Sequence, residues 1–291
     1  MKTIKYFFQA IIIYTFFLLV KIIGLKNGRK LSTFIFNKIG PLIKSKNIVN
    51  ENLENVLKNN DKKIKKEIIY KMWSNYAMTF VEYLYLNKFR NKYFENNQIK
   101  IKGQNILDQI KEKNKPVIFI SGHFANFELM SMYLGKNNIK LATIYRPLNN
   151  FFINPFMEFV RRNYVCKNQI KKGLMGMRQV VEYLKKSHSI ALMVDQRVSE
   201  GKNLPFFGKN ALTTTLPAQL ALKYKFDIVP LYISRNKDNI FEIEVFNPIK
   251  TLGIENTEKN KIEISLNINK IIEKMILRDP SQWIWTHNRW K

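Results

Sequence analysis

From Lys115 onward, short unbroken apolar runs alternate with stretches of helical periodicity, and no other feature constrains the fold as much. The runs are PVIFIS (116–121), LATIYR (141–146), IALMVD (190–195) and DIVPLYIS (227–234). Between them lie NFELMSMYLGK, NPFMEFVRRNY, GLMGMRQVVEYLKK and TTLPAQLALKYK, with apolar residues at helical spacing. A strand that is apolar at every position has both faces covered, the condition of a parallel strand layered between helices. A fifth run, FEIEVF (241–246), alternates like a strand with one wet face. The expected fold is α/β, a mixed and mostly parallel central sheet covered by helices. Residues 28–291 read as one domain, with a helical N-terminal part over 28–100 and an α/β part over 101–291.

The first 27 residues read differently. YFFQAIIIYTFFLLVKIIGL (6–25) is interrupted only by Gln9 and Lys21, and about 20 apolar residues are what a helix needs to cross a bilayer. Its length allows it to span or to lie partly embedded. No small-x-small cleavage site follows, which argues against a removed signal peptide. Lys21, Lys26, Arg29 and Lys30 outnumber Lys2 and Lys5 on the other side, so a spanning segment would leave the body in the cytoplasm. A single cysteine, Cys166, excludes an internal disulfide and a cysteine-based metal cluster, and suits a reducing compartment.

Charge narrows the partners. The chain has 49 Lys+Arg against 22 Asp+Glu, a formal net charge of +27. Such a field attracts nucleic acid, anionic lipid or an acidic protein, although lysine interleaved with asparagine and isoleucine, as in KNNDKKIKKEIIYK, also fits a compositional bias. No zinc finger, RNA-recognition signature or basic helix with a dimerisation element is present in the sequence. A membrane-anchored nucleic-acid-binding module or a scaffold remains the alternative of a different class.

In open α/β sheets the chemistry collects at the carboxyl ends of the strands, and that rule selects residues. SGHFANFE follows the first apolar run, YRPLNN the second and DQRVSEGKNLPFFG the third. His123, one of three histidines, stands just past the first strand, with Gly122 allowing a tight turn and close approach. Five positions apart on one helix would set His123 and Glu128 ~140° apart around the axis, so they meet only if His123 is in the loop and Glu128 in the helix after it. Asn126 is placed to cap that helix. A carboxylate on imidazole Nδ1 fixes the tautomer and leaves Nε2 as a base for an attacking hydroxyl. Arg146 and Asn149, before and after Pro147, suit an anion or a developing oxyanion. Asp195 and Gln196 end the third strand, where capping of nearby amides competes with direct chemistry. Phe206, Phe207 and Gly208 read as pocket wall, and Thr213 to Thr215 as the start of a helix with Pro217 in its first turn. His188 reads as solvated, and WIWTHNRWK with His287 as a packed C-terminal anchor or an interfacial belt.

Taken together in order, the N-terminal apolar segment, SGHFANFE, YRPLNN, the GLMGMRQVVEYLKK helix leading into MVDQ, LPFFG with its threonines and the closing QWIWTHNRWK resemble the late, or Kdo-dependent, acyltransferases of lipid A biosynthesis. The resemblance covers nearly the whole chain. It implies the glycerolipid acyltransferase-like α/β fold, a body facing the cytoplasm from the bacterial inner membrane, and transfer of a fatty acyl chain from acyl carrier protein, or from a coenzyme A thioester, to a hydroxyl of a 3-hydroxyacyl chain on a lipid A precursor. It makes His123 and Glu128 the catalytic dyad, Arg146 with Asn149 a substrate-binding block, Asp195 a lining residue and Phe206 to Gly208 a wall. It implies no metal and no cofactor, and partners that are acidic: the carrier protein, the phosphorylated lipid precursor and anionic membrane lipids, with nucleic acid not among them. An acyltransferase of the same fold acting on a glycerol phosphate, an ornithine lipid or a glycolipid is the nearest alternative. One departure stands out: the closing motif of the family often carries a second arginine where this chain has Asn288.

Overall fold

In the computed structural model, which describes residues 2–43, 46–57, 61–91 and 97–291, the apolar runs form the middle of a seven-stranded sheet. Its strands are β1 (Ile99–Lys102), β2 (Ile118–Ser121), β3 (Leu141–Tyr145), β4 (Asn168–Lys171), β5 (Ser189–Met193), β8 (Ile228–Arg235) and β9 (Phe241–Val245). The order is β1-β9-β8-β2-β5-β3-β4. Every neighbouring pair is parallel except β8 with β9. The expected mixed, mostly parallel sheet is therefore present. β2 is buried at all four positions and β9 at alternate ones, as the continuous and alternating patterns require.

Helices cover the faces: α5 (Gln104–Lys113), α6 (Glu128–Lys136), α7 (Asn154–Val160), α8 (Leu174–Lys185), α9 (Leu216–Tyr224) and α10 (Glu258–Arg278). α10 carries apolar Ile264, Ile268, Ile272, Met275 and Ile276 on one buried stripe. β6 (Lys202–Phe206) and β7 (Lys209–Thr213) form a separate antiparallel hairpin. Its two-residue turn, Phe207-Gly208, has φ of 52° and 75°, the left-handed pair that a tight hairpin needs and that glycine favours at the second position. Thr213 thus belongs to a strand, and α9 starts only at Leu216, with Thr215 before it and Pro217 in its first turn.

The N-terminal part is helical as expected: α1 (Lys2–Ile43), α2 (Lys46–Val56), α3 (Lys62–Glu82) and the short α4 (Leu86–Phe89). α1 is not straight. Gly24 sits at φ 79° and ψ 170°, open only to glycine without strain, and a Cβ on Gly28 would stand 2.7 Å from Val20 Cγ1. Residues eight apart touch across this bend, whereas on a straight helix they would lie ~12 Å apart along the axis. The second half of α1 then runs against α3, where Ser32 Oγ donates to Ala77 O at 2.9 Å and Gly40 lies on the Trp73 ring.

A buried charge network ties these helices to the sheet. Glu82, at the end of α3 and fully buried, accepts from Arg29 of α1 at 2.8 Å, from both terminal nitrogens of Arg235 of β8 and from Asn126 Nδ2 at 2.9 Å. Burial alone would raise its carboxyl pKa, but the Arg235 and Arg29 guanidiniums outweigh that and hold it below the usual range. Removing the one negative partner of two buried cations is costly. Glu82→Gln is expected to lower the stability of the full chain in detergent by about 3–5 kcal/mol, read as a drop in the denaturant midpoint.

Candidate active site

β2 and β5 are paired in parallel with Ser121 opposite Met193, so the residues two beyond each strand end emerge side by side. Those residues are His123 and Asp195. The Asp195 carboxylate takes three hydrogen bonds: Oδ2 accepts from the His123 backbone N–H at 2.9 Å and from Trp283 Nε1 at 2.8 Å, and Oδ1 lies 2.8 Å from His123 Nδ1. Burial would push Asp195 up, but the His123 ring and these donors bring it down to about 2. A carboxylate this acidic keeps the imidazole proton on Nδ1. Nε2 is then the basic nitrogen, and among the described residues it has no partner. Burial opposes charging of the ring, yet Asp195, with a smaller contribution from Glu128, raises its pKa above the ordinary value.

The turn that presents His123 is built from unusual backbone. A Cβ on Gly122 would meet the Phe124 ring at 2.7 Å and Asp195 Cβ at 3.2 Å, so glycine there permits the close approach. Ala125 sits at φ 41°, a left-handed conformation that costs a non-glycine residue on the order of 1 kcal/mol. Its backbone is held from two sides, the N–H donating to Gln282 O at 3.0 Å and the carbonyl accepting from Thr79 Oγ1 at 3.2 Å. Asn126, expected to cap the next helix, instead points its amide at Glu82. α6 begins at Glu128 with no side-chain cap.

Glu128 is therefore in the first turn of the helix after the loop, yet the bond expected between it and His123 is absent. Glu128 Oε1 accepts from Tyr83 Oη at 2.5 Å and from Arg161 Nε at 2.8 Å. Arg161 begins a single π-helical turn (Arg161–Val165) that follows α7, is mostly buried, and has its guanidinium 5.7 Å from the centre of the Tyr145 ring. Competition between partners accounts for this: a buried cation offers Glu128 two donors, while the ring nitrogen of His123 is already satisfied by a carboxylate placed by strand register.

These groups line a cleft of about 280 Å³. Its lining includes polar His123, Glu128, Arg161, Arg146 and His287 and apolar Phe127, Ile144, Leu192, Met193, Val198 and Leu216. Gln196 lines it as well, and Asp195 stands directly behind His123. Arg146 is at the exposed rim. Asn149 is exposed and outside the lining; its neighbour Asn150 is the buried one. Phe206, Phe207 and Gly208 are not the wall. Phe206 is fully buried under Trp290 and the Arg289 guanidinium, Phe207 N–H donates to Glu273, and Gly208 turns the hairpin. Phe206 packs on the C-terminal tail instead, against Trp283 and Trp290. Among the described residues no cluster suited to a metal occurs.

The tail (279–291) is the part of the site that the sequence did not identify. Trp283 anchors Asp195, Phe124 bridges to Trp283 in antiparallel fashion, and His287 Nε2 accepts from Arg197 N–H at 3.0 Å. Burial lowers the His287 pKa and keeps that ring neutral. Arg289, fully buried, donates to Leu212 O and Thr213 Oγ1, and burial brings its pKa down to about 10 against a partial offset from Asp195. The tail is thus packed inside, and the three tryptophans do not form an interfacial belt. The signal was there: three indoles and an arginine at the end of a chain need buried partners. Arg161 was visible too, as a cation inside the apolar NPFMEFVRRNY helix.

A histidine with an unpartnered Nε2 at a strand end has the geometry a general base requires, and the sequence comparisons supply the reaction class, acyl transfer. The chain belongs to the bacterial lipid A biosynthesis acyltransferases, whose family model matches residues 2–291. It is 26% identical over 271 residues to the lipid A biosynthesis palmitoleoyltransferase of Escherichia coli (strain K12), covering 89% of this chain and 84% of that one. It is 23% identical over 193 residues to the lipid A biosynthesis lauroyltransferase of the same organism, covering 65% and 60%. A lipid A biosynthesis acyltransferase of Haemophilus influenzae is 24% identical over 193 residues, covering 64% and 59%. The protein is an acyltransferase of lipid A biosynthesis.

Three outcomes are expected of the Asp195 assembly. Activity should fall on the acid side as pH drops through the raised His123 pKa, because a protonated ring has no free lone pair, and this limb should lie above that of an ordinary imidazole. Asp195→Asn should shift the residual limb to lower pH and reduce kcat by about two to three orders of magnitude. Trp283→Phe, which keeps an aromatic ring but deletes the indole N–H and part of its bulk, should lower kcat about tenfold while KM stays within about twofold; steady-state rates across pH check all three.

Proposed function

We propose that this protein transfers a fatty acyl chain from acyl carrier protein to a hydroxyl of a 3-hydroxyacyl chain on a lipid A precursor at the cytoplasmic face of the bacterial inner membrane. The observation that carries the reading is the unpartnered Nε2 of a histidine whose Nδ1 faces a buried aspartate, in a cleft lined by both cationic and apolar side chains.

In this reading His123 Nε2 removes the proton of the acceptor hydroxyl as its oxygen attacks the thioester carbonyl. The tetrahedral oxyanion forms beside Arg161, which Glu128 fixes in place, and the thiol leaves with the proton that His123 returns. No nucleophile on the protein is needed, because the acceptor supplies the hydroxyl. Glu128 then serves the histidine through its field and through Arg161, without bonding to it. Gln196 and rim residue Arg146 are the groups available to the phosphates or acidic sugars of the acceptor. The +27 charge supports an acidic carrier protein as donor and anionic lipid as the surface, since both are steered by it. A same-fold transfer to another lipid acceptor would use the identical chemistry and differ only at the rim.

His123→Ala is expected to abolish transfer from acyl carrier protein to the lipid A precursor in purified membranes at an unchanged protein level; near-wild-type turnover would sink the assignment. Glu128→Gln should retain His123 yet lower kcat by about two orders of magnitude, because Arg161 loses its anchor. Mass spectrometry of lipid A from cells lacking the gene should show the loss of one acyl chain, and unchanged lipid A would move the acceptor elsewhere.

A further inference from the structure

We propose that the first half of α1 does not cross the bilayer but lies lengthwise in one leaflet, with the loop between β3 and α7 embedded beside it. This inference concerns how the chain sits on lipid and is independent of the acyl-transfer reading.

By length and composition α1 is the one helix among the described residues able to span. Its contacts with the body deny it the orientation. Tyr6, Ala10, Ile13, Phe17 and Val20 form one stripe, spaced by three and four, that is buried or half-buried. Near one end, the Tyr6 carbonyl accepts from Asn150 Nδ2 at 2.9 Å and the Tyr6 ring meets Phe151. In the middle, Tyr14 Oη donates to Phe152 O at 2.8 Å and Phe17 packs on Phe80 and Phe156. At the far end, Lys21 Nζ donates to Leu84 O at 2.7 Å and Val20 O accepts from Tyr85 Oη. From Tyr6 to Lys21 is about 22 Å of helix, against a hydrocarbon core of about 30 Å. A spanning helix would therefore carry Asn149, Asn150 and irregular loop backbone into the hydrocarbon, where lipid-exposed loops are not tolerated.

The opposite face names the occupant. Ile4, Phe8, Ile11, Ile12, Leu18 and Ile22 are exposed, and the patch continues onto Leu148 and Phe151 of the loop. An in-plane helix normally supplies its own polar face; here the body takes that place, so the helix can be apolar all round. Exposed Lys2, Lys5, Lys26 and Lys30 flank the patch at both ends, complementary to anionic headgroups. All four then lie on the same side of the membrane, and their imbalance no longer assigns sidedness. Arg146, two residues before Leu148, comes to headgroup depth at the cleft rim.

The test uses the full chain added to preformed vesicles of phosphatidylethanolamine and phosphatidylglycerol. Thr3→Cys and, as a control on the body, Lys113→Cys are exposed positions, whereas native Cys166 is buried. Both new thiols should react with a membrane-impermeant maleimide without detergent. Protection of Thr3→Cys alone until detergent is added would overturn the proposal in favour of a spanning helix. The double variant Leu148→Asp, Phe151→Asp should weaken vesicle binding about tenfold or more. Unchanged binding would overturn the embedded loop, and unchanged binding with a dimer that dissociates would assign the patch to a second copy of the chain.

Discussion

One carboxylate holds this site together. Asp195 receives the backbone N–H and the ring of His123 from the end of β2, and the indole of Trp283 from the C-terminal tail, while itself extending from β5. Three segments far apart in sequence therefore converge on two oxygens. The position follows from register alone: once Ser121 pairs with Met193, the residues two further on must be neighbours. The acidity of Asp195 and the basicity of His123 are two descriptions of the same contact, since each partner stabilises the charged form of the other in a place that water reaches poorly.

A second buried charge does for the scaffold what Asp195 does for the chemistry. Glu82 joins α1 through Arg29, the sheet through Arg235 and the His123 turn through Asn126. The long apolar helix α1 and the turn that carries His123 are thus held by one carboxylate. Ala125, one residue before Asn126, keeps its left-handed backbone because α3 and the tail both bond to it. Strain at one turn is stable here because the surroundings determine it twice.

Local pattern made most of the sheet legible. Four unbroken apolar runs became β2, β3, β5 and β8, and the alternating run became β9. β1 (Ile99–Lys102) and β4 (Asn168–Lys171) escaped because edge strands of four residues carry lysines and polar side chains on their outer positions. His123 was legible as a loop histidine after a strand. Its partner was not, because Glu128 is five residues away and Asp195 is 72, and only strand pairing reveals the second distance. Arg161 and Trp283 escaped for the same reason: each acts through a group remote in sequence.

The two carboxylates take different partners. Asp195, outside the cleft lining, bonds the imidazole at Nδ1, while Glu128 is fixed on Arg161 and Tyr83 and lines the cleft together with the imidazole and the guanidinium. Were Glu128 to bond the histidine directly, Arg161 would be a buried, unmatched charge and Asp195 a buried, unmatched acid, each costing several kcal/mol. Pairing His123 with Asp195 and Glu128 with Arg161 gives each of the two carboxylates a hydrogen-bonded partner and leaves the imidazole Nε2 without one among the described residues.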